Sequence, residues 1–334
     1  MIEYIFSSIL AFFISFISLK KIKILFEKFG IVGIDQHKKD KRKIATSGGI
    51  AISFSFIFSL LVFIGIRTFI FKTIENALIV FSILLSVLLV TFVGFIDDVL
   101  IKRKQYRSKK NEKDIRVGLP QWIKPLLTFP AALPLMVLNI GNPTISLPIF
   151  GEVNFGIFYP LVIVPLAFVF SSNVVNMLAG FNGMESGMGL VYLGFLSYVA
   201  FLANSIAFPI FLIAFFSLLP FFIFNFYPAK ILPGDSLTYF LGSLVISASV
   251  AGDMEKPLIF VFLPFFIEFF LKLRSKFKAS SLGILKNGYL KSRYRKIYSL
   301  THLIMKIGKF KEWQISVIFI LIELFSVLLY FLIK

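Results

Sequence analysis

The sequence contains no cysteine, which excludes disulfides and thiolate metal sites. It lacks the apolar–polar alternation of barrel strands, because its apolar stretches are continuous. It shows no internal repeat. Residues 2–19 have neither a basic n-region nor a small-residue cleavage site, so they read as a first membrane span rather than a cleaved signal peptide. Acidic residues are scarce, at 17 Asp and Glu against 35 Lys and Arg, for a net charge of +18. On a polar chain that excess would point to nucleic acid. Hydrophobic residues make up 58% of this chain, with a mean hydropathy of +0.90, so the charge is a topology signal and nucleic acid is excluded as a partner.

What is present is a series of apolar runs near 2–19, 48–66, 76–95, 121–140, 158–177, 188–203, 206–225, 236–252, 256–272 and 314–333. Each can cross a hydrocarbon core of roughly 30 Å as a helix, and only helices or closed barrels satisfy their backbones in lipid. The expected fold is therefore all-α: a polytopic membrane protein of about ten transmembrane helices forming one domain over residues 1–334. Its cytoplasmic loops would lie near 20–47, 96–120, 178–188, 226–235 and 272–313. Basic residues set the orientation. Of the 35 Lys and Arg, 31 fall on one side, leaving only Arg67, Lys72, Lys256 and Lys334 on the other. The positive-inside rule makes the rich side cytoplasmic and puts both termini outside. Residues 141–157 are the one sizeable outer loop. There Ile145, Leu147 and Ile149 alternate with polar or small residues before Gly151 and Glu152, which predicts a short extracytoplasmic β-hairpin turning at those two residues.

Four segments carry the polar chemistry. GFIDDVL, residues 94–100, places Asp97 and Asp98 where a helix leaves the membrane, either as a solvated helix end or as a site visited by a cation. Residues 171–189, SSNVVNMLAGFNGMESGMG, bring Asn173, Asn176, Asn182, Glu185 and four glycines together with no Lys or Arg. A plain interhelical turn needs few of these, whereas glycine-rich backbone amides can nest an anion. In PGDS, residues 233–236, Asp235 or Ser236 could simply cap the following helix. KLRSKFKASSLG, residues 272–283, could be a positive-inside anchor. His302 reads as a packing residue. Taken together, acidic and amide oxygens at 97, 98, 176 and 235 share the inner ends of spans with glycines and a cationic loop. That inventory suits Mg²⁺, a diphosphate and a lipid-borne acceptor.

The motifs, in order, are GIVGIDQHKKDK before SGGIAI, then GFIDDVL, NVVNMLAGFNGMESG, PGDS and LKLRSKFKASSLG. Together they resemble the polyprenyl-phosphate N-acetylhexosamine-1-phosphate transferases along nearly the whole chain. Within that family the sequence is similar to the eukaryotic and archaeal branch that makes N-acetylglucosaminyl-diphosphodolichol. Bacterial relatives carry aspartates in an NxxNxxDGxDG pattern, where this chain has Ala179 and Asn182. The cell-wall branch has a His-rich last inner loop, where this chain offers only His302. The basic segment 102–117 looks longer than in the eukaryotic enzymes, and no function is read from it.

The resemblance implies transfer of N-acetylglucosamine 1-phosphate from UDP-N-acetylglucosamine to dolichyl or another polyprenyl phosphate, releasing UMP and starting a lipid-linked oligosaccharide for N-glycosylation. It implies Mg²⁺, replaceable by Mn²⁺, held by Asn176 and Asp235. Asp97 and Asp98 would position the acceptor or take its residual proton, and Lys124 with Arg274 and Lys276 would neutralise the pyrophosphate. Gly180 and Asn182 would meet the uracil end, with Asn173, Glu185, Asp35 and Lys38 as further substrate contacts. It places the enzyme in the plasma membrane of a prokaryote, an archaeon, with the active site cytoplasmic. Membrane lipids are the surroundings, and a homodimer is compatible with it. The rivals are the same chemistry with another UDP-sugar or undecaprenyl phosphate, and a transporter. A transporter would want midplane ionisable residues and inverted repeats, and apart from Glu323 the acids sit at helix ends.

Overall fold

The computed structural model describes every residue except 74–75, 101, 109–110, 118, 148–150 and 334, with 102–108, 111–117 and 146–147 described as backbone. Long helices account for most of it: α1 (Ile2–Phe29), α2 (Gly49–Phe69), α3 (Ala77–Leu100), α6 (Val164–Met177), α7 (Met184–Leu202), α8 (Ala207–Asn225), α9 (Gly234–Ala251), α10 (Glu255–Leu273) and α12 (Glu312–Ile333). Among the described residues, seven helices are long and apolar enough to cross a membrane. These are α1, α2, α3, α6 with the π-turn Tyr159–Ile163 before it, α7, α8 and α12. Large apolar side chains line their outer faces: Phe13, Ile17, Leu85, Phe92 and Phe325 are all exposed. An apolar surface this wide is at home only in lipid. This is an integral membrane protein.

The three other apolar runs depart from that simple reading for reasons written in the sequence. Run 121–140 is broken into α4 (Ile123–Thr128), a 3₁₀ turn (Phe129–Ala132) and α5 (Leu133–Val137). Pro125, Pro130 and Pro134 each remove an amide donor and crowd the preceding turn. Helix α10 carries Glu255, Lys256, Glu268 and Lys272, too many charges for a lipid-facing span. Helix α9 is diluted by Gly242, Ser243, Ser247 and Ser249, all fully buried or nearly so. Small residues let neighbouring backbones approach closely. α9 is accordingly the central helix, packed against α3 and α6 along its length and touching α2, α8 and α10. Ser171 of α6 donates to the Gly242 carbonyl at 2.5 Å across that contact.

Among the described residues there are four two-stranded antiparallel sheets, one of them the expected hairpin and three that the all-α expectation leaves out. Strands β1 (Val32–Ile34) and β2 (Lys43–Ala45) pair in the first inner segment, with Gly33 opposite Ile44. β3 (Lys102–Ser108) and β4 (Asn111–Val117) form a hairpin in the basic segment for which no structure was expected. β5 (Thr144–Leu147) and β6 (Gly151–Asn154) are the hairpin expected in 141–157, with Leu147 opposite Gly151. Gly151 and Glu152 open its second strand instead of turning the chain. Ile149 lies outside the described residues. β7 (Ile284–Lys286) and β8 (Tyr289–Lys291) follow the basic run and lead to the short helix α11 (Leu300–Ile307). Helix α1 runs ten residues past its apolar run, to Phe29, and ends on Gly30 in the left-handed conformation.

Candidate active site

The C-terminal end of α3, the start of α4, the C-terminal end of α6 and the N-terminus of α9 converge. Asp98, at the end of α3, accepts hydrogen bonds from the backbone N–H groups of Asp235 at 2.7 Å and Ser236 at 3.2 Å. Those are two of the orphan donors at the start of α9, so α9 is capped from another helix rather than by its own Asp235 or Ser236. Gly234 makes this possible: its φ is +70°, and a Cβ there would collide with the Asp98 carboxylate. The capping interpretation of Asp235 is thereby overturned. Its side chain is left for other work.

The Asp235 carboxylate accepts from Lys124 Nζ at 2.7 Å and from Asn176 Nδ2 at 2.9 Å. Lys124 Nζ also lies 2.5 Å from Asp97 Oδ2, and Asp97 Oδ1 accepts from the Leu119 N–H at 2.6 Å. Two carboxylates therefore share one ammonium, with an amide beside them. Lys124, Asn176 and Asp235 line a cavity of about 1070 Å³, large enough for a nucleotide-sized ligand. Asp97 and Asp98 do not line it and sit directly behind it.

The opposite walls are built by the asparagine loop and the basic run. Gly180, with φ +117°, donates its N–H to Glu185 Oε1 at 2.6 Å, and a Cβ on it would press on Leu282. Asn182 Nδ2 donates to Asp35 Oδ2 at 3.2 Å. Asn173 Nδ2 donates to the Val169 carbonyl and to Thr128 Oγ1. All five residues line the cavity, as does Lys276, while Arg274 and Lys38 do not. Lys38 instead pairs with Glu312 and stands 3.6 Å from Asp35. Two acidic residues outside the expected set matter here. Glu312 heads α12 and reaches Lys38, His37 and the Asn182 N–H. Glu268 is fully buried in α10 beside Lys272, which donates to the Ala279 carbonyl and Ser281 Oγ and so pins the basic loop. The Glu268–Lys272 pair was readable as an acid and a base four residues apart on one helix. Nothing near Glu312 in the sequence announces its partners. His302 is a packing residue, as read: its Nε2 faces the Ser280 carbonyl at 2.9 Å and its Nδ1 the Tyr298 N–H. Burial lowers its pKa.

The sequence profile described as glycosyl transferase family 4 matches residues 80–253, which span α3 through α9. A Saccharolobus solfataricus protein is 36% identical over 313 residues, covering 93% of this chain and 90% of that one. A Sulfolobus acidocaldarius protein is 36% identical over 327 residues, covering 96% and 94%. The chain belongs to glycosyl transferase family 4. Both archaeal relatives carry the provisional name UDP-N-acetylglucosamine–dolichyl-phosphate N-acetylglucosaminephosphotransferase. A Dictyostelium discoideum relative, 26% identical over 281 residues, covering 72% of this chain and 64% of that one, bears the same name without the qualifier. This member of family 4 thus presents its cluster of acids, amide and lysine at the junction of the helices that the family profile spans.

The donor set can be tested against the divalent cation that the resemblance implies. Among the described residues, no group of three or more His, Cys, Asp or Glu side chains could hold a metal alone. The site does offer oxygen donors only, from Asp97, Asp235 and Asn176, with the Lys124 ammonium already seated between the two carboxylates. Mg²⁺ is commonly held by one or two carboxylates plus substrate phosphates, so the residues fit such an ion.

Proposed function

We propose that this protein transfers N-acetylglucosamine 1-phosphate from UDP-N-acetylglucosamine to a membrane polyprenyl phosphate, dolichyl phosphate in the first instance, and releases UMP. The observation that carries the reading is the Asp97–Lys124–Asp235–Asn176 cluster opening onto a cavity whose other wall bears Asn182 and Lys276. An acceptor phosphate oxygen attacks the phosphorus that carries the sugar. The bond from that phosphorus to the bridging oxygen breaks, and UMP leaves with the electron pair. The acceptor is already anionic, so the barrier is the gathering of negative charge rather than deprotonation.

Each residue then has a task. Asp235 and Asn176 would hold the cation, which supplies charge neutralisation on the phosphate oxygens when bound. Lys124, held between two carboxylates, is aimed at the same oxygens. Asp97 holds Lys124, and Asp98 fixes the start of α9 on which Asp235 sits. Lys276 meets the diphosphate from the opposite wall. Asn182, Gly180, Asp35, Asn173 and Glu185 form the end of the cavity that takes the nucleotide. Counting α9, α10 and the broken run 121–140 with the seven apolar helices gives ten crossings, which would put all of these helix ends on the cytoplasmic side and the β5–β6 hairpin and both termini outside. A prokaryotic plasma membrane is the membrane this reading assigns, and the likeness to archaeal proteins supports it.

A substrate panel tests the reading. Purified protein should turn over UDP-N-acetylglucosamine with dolichyl phosphate at least tenfold faster than UDP-N-acetylgalactosamine or UDP-N-acetylmuramoyl pentapeptide. Turnover of the muramoyl substrate with undecaprenyl phosphate as the best pair would replace this reading with a cell-wall one.

A further inference from the structure

The last helix reaches the nucleotide end of the cavity through two side chains of its first two turns. Glu312 is 4% exposed, and its Oε1 accepts from the Asn182 N–H at 3.1 Å. Ser316, fully buried one turn later, donates its hydroxyl to the Asn182 carbonyl at 2.9 Å. Both polar groups of one peptide unit's residue are therefore held by α12, across 130 and 134 residues of chain. The same carboxylate faces His37 Nδ1 at 3.3 Å and pairs with Lys38. It thereby binds the segment that bears Asp35, whose carboxylate takes the Asn182 side-chain N–H group. With one of its two Nδ2 hydrogens given to a carboxylate, Asn182 keeps its amide oxygen and the second N–H for a ligand.

We infer that Glu312 and Ser316 are positioning residues: from α12 they fix the backbone of Asn182, and through Asp35 its side-chain amide, and so set nucleotide affinity without entering phosphoryl transfer. This rests on the transferase reading above. Neither residue lines the cavity, so each acts through Asn182. The buried carboxylate is balanced by the Lys38 ammonium, which also lies 3.8 Å from the centre of the Tyr227 ring. Glu312 thus joins three distant segments, and loosening it frees the loop while leaving Asp97, Lys124, Asn176 and Asp235 in place.

Steady-state kinetics with UDP-N-acetylglucosamine and thermal shift with UMP test this on the purified full-length protein and three variants. Wild type should gain thermal stability with UMP. Glu312→Ala should raise KM at least tenfold with kcat within threefold, and should lose most of the UMP shift. Ser316→Ala should raise KM three- to tenfold. Glu312→Gln, which keeps an acceptor for the Asn182 N–H, should recover part of the affinity, a rescue that a merely packed side chain would not give. Unchanged KM and UMP shift in both alanine variants would overturn the inference while leaving the transferase reading standing. So would a collapse of kcat at constant KM. A wild type that neither binds UMP nor releases it would sink the transferase reading itself. Should Glu312→Ala fail to fold, the Ser316→Ala result decides.

Discussion

Two aspartates that meet where α3 reaches α9 do different things in this protein. Asp98 spends both oxygens on the N–H groups that open α9, whereas Asp235, three residues into the PGDS motif, faces Lys124 and Asn176 at the cavity wall. Stripping a buried acceptor from two backbone donors costs roughly 1–3 kcal/mol. Asp98→Ala should therefore lower the thermal midpoint clearly. Asp235→Ala should leave the midpoint near wild type and remove at least 99% of turnover, because the carboxylate proposed to hold the cation is lost while the cap is intact. Unfolding curves and UMP release on the two variants check this. A destabilised Asp235→Ala with normal turnover would return that residue to a capping role.

At the scale of elements, the sequence marks helix ends better than it marks what those ends touch. The motifs at 94–100, 173–187 and 233–236 were legible because charge and glycine stand out against apolar runs, and the structure brings their residues together. The broken fourth run and the burial of α9 among helices were not read in advance, although the three prolines between 125 and 134 and the serines of α9 supply the physical reasons. The division of labour between Asp97, Asp98 and Asp235 was not legible, since it depends on which side chain of one helix meets the amides of another. Glu312 was invisible for the same reason, its partners being 130 and about 275 residues away. The proposed orientation rests on the 31-to-4 division of basic residues. The absence of native cysteine gives single-cysteine variants a clean background. Asn142→Cys, before β5, should react with an impermeant maleimide on intact cells. Asn287→Cys, at the β7–β8 turn, should react only after permeabilisation. The reverse pattern would invert the topology.

On the scale of the whole molecule, the apolar exterior and the polar convergence of helix ends divide the protein into a lipid-soluble body and one reactive face. Family 4 membership covers the part that builds this face, α3 to α9, while α12 and the segment around Asp35 complete it from the two ends of the chain. The central claim is that a sugar and one phosphate move together to a lipid phosphate. Quantifying the nucleotide released tests it most directly. Purified protein is supplied with UDP-N-acetylglucosamine, dolichyl phosphate and Mg²⁺, and product nucleotides and lipid are measured together. The account predicts UMP in one-to-one ratio with N-acetylglucosaminyl-diphosphodolichol. Release of UDP, which would mean that the sugar moved without its phosphate, would contradict it.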